Sequence, residues 1–197
     1  CLALKRLYVH EKVHDALCDA LGALARKAKV GNGLAPDTEF GPLQNRAQYQ
    51  RVLGLIDDAR QHGEVVAGGE PHDGPGYFIR PTIVRNVGNG TRIVDEEQFG
   101  PVLPIIKVRD ADEAVRLANA SPFGLGGSVW SADAERAAAL AQRLDAGTVW
   151  INKHQDIAPH IPFGGAKQSG IGLEFGIEGV HEFTQVQVVN RPGVASA

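Results

Sequence analysis

The sequence predicts an α/β fold with a mostly parallel sheet flanked by helices, and three observations carry that prediction. Between positions 102 and 152, β-type and helix-type apolar patterns alternate with short joints, which implies parallel strands linked by crossover helices. Two long amphipathic patterns, over 12–29 and 44–62, supply helices that need a sheet to cover. The chain has 197 residues, 43% of them hydrophobic and 22% charged. That length suits one domain, or one plus an appendage, and allows roughly 70% of the unfolded surface to be buried without staples.

Residues 5–9, Lys-Arg-Leu-Tyr-Val, read as the first strand. A helix over 12–29 follows, with Val13, Leu17, Ala20, Leu21, Leu24 and Ala28 on one face, and Gly31-Asn32-Gly33 is expected to stop it. Gly41-Pro42 opens the next helix, 44–62, whose inward face is Tyr49, Val52, Leu53, Ile56 and Ala59. Gly63 closes it, and 65–67 make a short buried strand. The run 68–76 is rich in turn residues. Extended chain over 77–84 is interrupted by Pro81, which favours a sheet edge or a bulge. Val102–Val108 then reads as strand, 110–119 as helix, 127–130 as strand, 132–146 as helix and 148–152 as strand. Asp110 and Glu113 have the spacing of a capping box. From Lys153 to Gly172 the periodicity stops, with prolines and Gly164, Gly165 and Gly170 in the way. A short helix over 173–183 and a last strand over 185–189 complete the chain, and the tail from Gly193 to Ala197 is expected to fray.

Composition removes several functional classes. The formal net charge is −3 and no basic stripe is visible, so nucleic acid is not the expected partner. No apolar run is long enough to span a bilayer, and no secretion signal is expected in the first residues, which for a fragment says little about the parent. Two cysteines, Cys1 and Cys18, are too few for a disulfide framework at this size, which points to a reducing, cytoplasmic setting. Cys1 stands directly before a strand, and the chain contains no methionine. Together these lead to the expectation of a polypeptide cut from something larger.

Three features carry chemistry. The thiol of Cys1 is one. The second is Glu96-Glu97-Gln98-Phe99-Gly100-Pro101, a pair of carboxylates beside an aromatic ring. The third is the long loop after the strand at 148–152, because ligands in parallel sheets bind beyond the carboxyl ends of strands. The histidines do not form a metal motif: His10 and His14 are four apart, but no carboxylate-bearing partner follows. No metal is expected.

These segments, in this order, resemble the C-terminal catalytic portion of an NAD(P)-dependent aldehyde dehydrogenase. The resemblance covers essentially the whole chain. It rests on Cys1 five residues before Arg6, Gly76-Tyr77-Phe78-Ile79-Arg80-Pro81-Thr82, Glu96-Glu97-Gln98-Phe99-Gly100-Pro101-Val102, Gly147-Thr148-Val149-Trp150-Ile151-Asn152 and Pro162-Phe163-Gly164-Gly165. It implies a three-layer catalytic domain over 1–183, N-terminally incomplete, with an oligomerisation strand and tail over 184–197. It also implies that the nucleotide-binding domain lies outside this chain.

The same resemblance implies roles for individual residues. Cys1 would attack a small-molecule aldehyde, giving a thiohemiacetal and then a thioester. Glu97 would accept hydrogen bonds from the two hydroxyls of the nicotinamide ribose of NAD or NADP, with Phe99 packing near the nicotinamide. Gln48 and Arg51 match positions on the cofactor's ribose and phosphate side. Phe163 and Ile157 match the lining of the substrate tunnel, where many relatives carry an aromatic in place of Ile157. The general-base glutamate and the oxyanion asparagine lie upstream in the family, so this chain alone is expected to be inactive. Homo-oligomerisation through the C-terminal strand is expected as well. Two alternatives stand beside this. In a CoA-acylating semialdehyde dehydrogenase, CoA rather than water would resolve the thioester. A noncatalytic interaction module would instead be held by residues 185–189.

Overall fold

A computed structural model describes residues 2–193 and contains two units, Cys1–Ser121 and Pro122–Ala197. In the first, β1 (Leu7–His10), β2 (Glu64–Ala67), β3 (Thr82–Arg85) and β4 (Val102–Val108) form one sheet in the order β1-β4-β3-β2. Both β1 and β3 run parallel to β4, setting Leu7 opposite Ile105 and Thr82 opposite Val102. β2 is antiparallel to β3, with a bulge between Val65 and Ala67. The side-chain period of two sends neighbours to opposite faces. Ile83 and Ile105 therefore meet Cys18 of α1 (Glu11–Lys27), while Val84, Val102 and Ile106 meet α2 (Arg46–His62). The result is helix, sheet, helix: the three layers the sequence implied.

α2 buries Val52, Leu55, Ile56 and Ala59 completely, close to the anticipated stripe. α1 does not follow its anticipated face. Its buried residues are His14, Cys18 and Gly22, flanked by half-buried Leu17, Leu21 and Ala25, whereas Val13 and Leu24 are 55% and 64% exposed. Counting only apolar residues missed the contact line, because its centre is a histidine, a thiol and a glycine. A Cβ on Gly22 would come within 2.9 Å of Val66, so the smallest side chain sits where helix and sheet approach most closely.

The helix also ends at Lys27, short of the expected Lys29. Val30 instead bridges Phe40 in parallel, and the Lys29 carbonyl accepts from the amides of Glu39 and Phe40. α2 begins at its N-cap Asn45, whose Oδ1 accepts from the Gln48 amide at 2.9 Å. Gly63 closes it with extended backbone, as a Cβ there would run into the Val87 side chain and the Arg85 carbonyl. Pro81 does not mark an edge. It lies one residue before β3, an inner strand, so its missing N–H removes no ladder bond. A one-turn helix, α3 (Arg92–Asp95), precedes the Glu96-Glu97 pair and was not anticipated. α4 (Ala111–Asn119) packs on β1 and β4. Asp110 caps it through the Glu113 amide at 2.8 Å, but the Glu113 carboxylate reaches back to the amide of Arg109, not of Asp110.

The second unit contains a parallel βαβ element. β6 (Gly126–Val129) and β7 (Thr148–Ile151) flank α5 (Ala134–Ala141), with Gly126 opposite Thr148 and Val129 opposite Ile151. α5 is shorter than expected: Asp133 caps its start and the chain leaves the helix at Gln142. The loop after β7 is not structureless. β8 (Ala166–Lys167) pairs antiparallel with β5 (Phe123–Gly124), Phe163 bridges Glu174, and α6 (Gly176–His181) follows. Residues 185–189, expected as a strand, have no sheet partner among the described residues, and Val186, Val188 and Val189 are exposed. Among the described residues no helix is long and apolar enough to cross a membrane.

Candidate active site

The segment joining α3 to β4 carries the expected cofactor-side residues, and α2 holds it. Glu97, Gln98 and Phe99 alternate out, in, out: Glu97 and Phe99 are exposed and Gln98 is buried. The three carbonyls in this run accept bonds from only two α2 side chains. Arg51 donates to the Glu97 carbonyl from Nε at 3.3 Å and from its terminal nitrogen at 3.1 Å. Gln48 donates to the Gln98 carbonyl at 2.5 Å and the Phe99 carbonyl at 3.2 Å. Phe99 has φ of +47°, a left-handed conformation that costs a non-glycine residue about 1 kcal/mol or more and persists where neighbours over-determine it.

From the other side the segment is tied to the chain just before β1. The Gln98 amide nitrogen donates to the Lys5 carbonyl at 3.2 Å and to the Val102 carbonyl at 2.5 Å. Those two acceptors fix the amide's orientation, since a flip would set oxygen against oxygen. Lys5 completes the lacing by donating from Nζ to the Ile93 carbonyl at 2.6 Å. Burial pushes the Lys5 amine down to about 7; the Arg6 charge adds to this, while Asp95, Glu97 and Glu96 act against it.

The two carboxylates of the pair differ. Glu96 is bound by Arg92 at 2.7 Å and faces Arg51 at 3.6 Å. The hydrogen bond from Arg92 holds its carboxyl below the usual range. Glu97 is exposed, and its carboxylate has no hydrogen bond or ion pair among the described residues. A laced backbone presenting one unspent carboxylate beside one exposed ring suits a ligand with paired hydroxyls and a flat heterocycle.

The expected substrate-side residues belong to the second unit. Trp150, on β7 and 5% exposed, donates from its indole to the Asp156 carbonyl at 2.8 Å and packs edge-on against His154. Lys153 pairs with Asp156. This fixes the turn that leads into Ile157, which is itself 39% exposed. Phe163, half-buried, exchanges two 2.8 Å backbone bonds with Glu174. Gly147 and Gly164 explain the glycines around it: a Cβ on Gly147 would lie far inside van der Waals contact with the Gly164 carbonyl.

Of the residues singled out by sequence, Glu97, Phe99, Gln48 and Arg51 converge in the first unit, while Ile157 and Phe163 share one loop of the second. Cys1 lies outside the described residues. Two participants escaped notice, Lys5 and Gln98. Their signal was available in principle, since a polar residue between an outward carboxylate and an outward aromatic must point inward and find partners. Among the described residues no cluster of three or more His, Cys, Asp or Glu side chains could hold a metal.

Comparison with known proteins supports one assignment. The model of the aldehyde dehydrogenase family matches residues 1–189. The NADP(+) succinate-semialdehyde dehydrogenase of Deinococcus radiodurans is 43% identical over 190 residues, covering 96% of this chain and 40% of that protein. The mitochondrial aldehyde dehydrogenase of Leishmania tarentolae is 41% identical over 191 residues, covering 96% and 38%. The NAD+ complex structure of aldehyde dehydrogenase from Bacillus cereus matches with a TM-score of 0.90 at 38% identity, covering 93% of this chain and 38% of that one. The chain thus spans about 40% of the length of these relatives.

Proposed function

Because the chain belongs to the aldehyde dehydrogenase family, we propose that it supplies the nucleophile and the cofactor-orienting carboxylate of an enzyme that oxidises an aldehyde to a carboxylic acid with NAD or NADP. One observation supports this most: within a family match over residues 1–189, Glu97 is the member of the acidic pair left exposed and unspent, on a backbone laced at every carbonyl from 97 to 99.

In this mechanism the Cys1 thiolate attacks the carbonyl carbon, forming a C–S bond and moving the C=O π electrons onto oxygen. Bound dinucleotide supplies the hydride acceptor. Loss of hydride from the tetrahedral carbon restores C=O as a thioester, which water cleaves to a carboxylate and the free thiol. Glu97 would accept hydrogen bonds from the two ribose hydroxyls, fixing the ring for transfer in the one geometry that allows it. Phe99 would cover the nicotinamide face. Phe163 and Ile157 would line the substrate approach; the aliphatic Ile157 suits a different aldehyde shape from the aromatic that the family often carries there. A reducing compartment suits such a thiol.

Residues 1–183 would form the catalytic portion, and the exposed valines at 186, 188 and 189 would pair with another subunit. In the full-length protein, Cys1→Ala should abolish aldehyde-dependent NAD(P)H formation and Glu97→Gln should lower kcat. Undiminished NAD(P)H formation by Cys1→Ala would sink the assignment.

A further inference from the structure

We propose that Lys5 and Gln98 are positioning residues that bracket residues 93–98 against the chain just before β1, and so hold the Glu97 carboxylate in register with the segment that carries the nucleophile. The inference deepens the function proposed above and rests on its reading of Cys1 and Glu97.

Both ends of the bracket close on one residue, four positions after Cys1. The Lys5 side chain donates from Nζ to the Ile93 carbonyl at 2.6 Å, and the Lys5 carbonyl accepts from Gln98 Nε2 at 3.2 Å. The stretch between those two attachments contains the Glu96-Glu97 pair, and it starts from Ile93 and Val94, both 0% exposed. Gln98 Nε2 also donates to the Val102 carbonyl at 2.5 Å, where β4, the neighbour of both β1 and β3, begins. One amide thereby ties the acidic segment, the chain before β1 and an inner strand together.

The chemistry of the two side chains argues that these bonds are their purpose. Gln98 is 3% exposed, and its Oε1 is buried with no hydrogen-bond partner among the described residues. A stranded buried acceptor is destabilising, and leucine or methionine would fill the same space without one. Lys5 carries a comparable cost, since burial pushes its amine down to about 7. Two residues thus accept a burial penalty at one junction, and each holds a main-chain oxygen there. Glu97 is exposed, so its position depends on the backbone beneath it. Misplacement of an orienting group by about 1 Å costs on the order of a hundredfold in rate.

The test uses the full-length protein, with Gln98→Met and Lys5→Met each made alone and on a Glu97→Gln background. Each single variant should lower kcat, and the single-turnover rate of NAD(P)H formation, by about fivefold to fiftyfold. The KM for dinucleotide should move by less than about threefold. On the Glu97→Gln background the same substitutions should cost less than about twofold, because the group they position is already gone. Alkylation of Cys1 by iodoacetamide, followed by peptide mass at about pH 8.5 where the Lys5 amine is already neutral, should stay within about twofold of the native rate. Without dinucleotide, amide exchange at residues 94–97 should accelerate in both variants. Lys5 is half-buried, so Lys5→Met carries the test if Gln98→Met does not fold.

Unchanged kcat would overturn the inference, whether or not KM rises. So would costs that multiply in full on the Glu97→Gln background, Cys1 alkylation that falls in step with kcat, or unchanged exchange. In each of those cases Glu97→Gln still lowers kcat and the function stands. If Glu97→Gln itself leaves kcat unchanged, the role of Glu97 fails and the bracket loses what it positions.

Discussion

Replacing Lys5 with methionine should change the pH dependence of stability in one direction only. Burial pushes the Lys5 amine from 10.5 to about 7. Below about 7 it is charged in the folded and the unfolded chain alike, so the burial penalty acts at full strength. Between about 7 and 10.5 the unfolded chain keeps a proton that the folded one has lost, and stability rises with pH. Above 10.5 the penalty is gone. At 1.36 kcal/mol per decade the whole effect could reach about 5 kcal/mol. The side chain is half-buried, so solvent screening reduces the expected figure to about 1–2 kcal/mol. Methionine keeps the stem and removes the titration. It also loses the bond to the Ile93 carbonyl, so the comparison between pH values, not the single difference, carries the test. Amide exchange in β1 and β4 gives a local opening free energy at pH 6 and pH 9. The native chain should gain about 0.5–1 kcal/mol over Lys5→Met on going from the lower to the higher value, because pH 9 reaches about two of the three and a half decades between about 7 and 10.5. An equal difference at both, or a gain at the acid end, would refute the reasoning.

Three further outcomes follow from geometry. Gly147→Ala forces a methyl against the Gly164 carbonyl, where two backbones meet and neither can yield cheaply; it should cost about 2–3 kcal/mol, read as a lower thermal midpoint and faster amide exchange around Phe163. Cys18 is fully buried, its Sγ lies 3.6 Å from His14 Nε2, and burial pushes its thiol up. Ellman's reagent should therefore label it at least about a hundredfold more slowly in the native than in the unfolded protein; equal rates would show that α1 opens freely. Asp110→Ala removes the cap of α4 and should cost about 1 kcal/mol, visible as lost protection at Glu113 and Ala114.

Local chemistry was legible in the chain itself. Period-two and period-3.6 patterns placed β4, α2, β6 and β7 within a few residues, because those segments bury apolar side chains at regular intervals; α5 was placed in order but ends five residues before the expected 146. Asp110 was marked as a cap by its spacing to Glu113, and the acidic pair, the aromatic at 99 and the glycine-rich loop stood out by residue type. Periodicity failed where the contact line is made of residues that carry no apolar signal, as at His14, Cys18 and Gly22 of α1. It also overran helix ends where another segment competes for the last carbonyls, as Phe40 does for Lys29.

Tertiary structure alone decided which side chains spend their polar groups on the protein and which keep them. Residue type cannot separate Glu96 from Glu97; the separation comes from Arg92 and Arg51, one a turn away and the other on a different helix, bonding to the first and leaving the second's carboxylate open. Nor can it say that Gln48 and Arg51 face main-chain oxygens about fifty positions away. A hydrogen bond forms only over about 3 Å and within a narrow angle, so partners remote in sequence are set by how helix and strand pack. The sequence determines which groups are present and which segments are helix or strand; packing determines which of those groups remain available to a ligand.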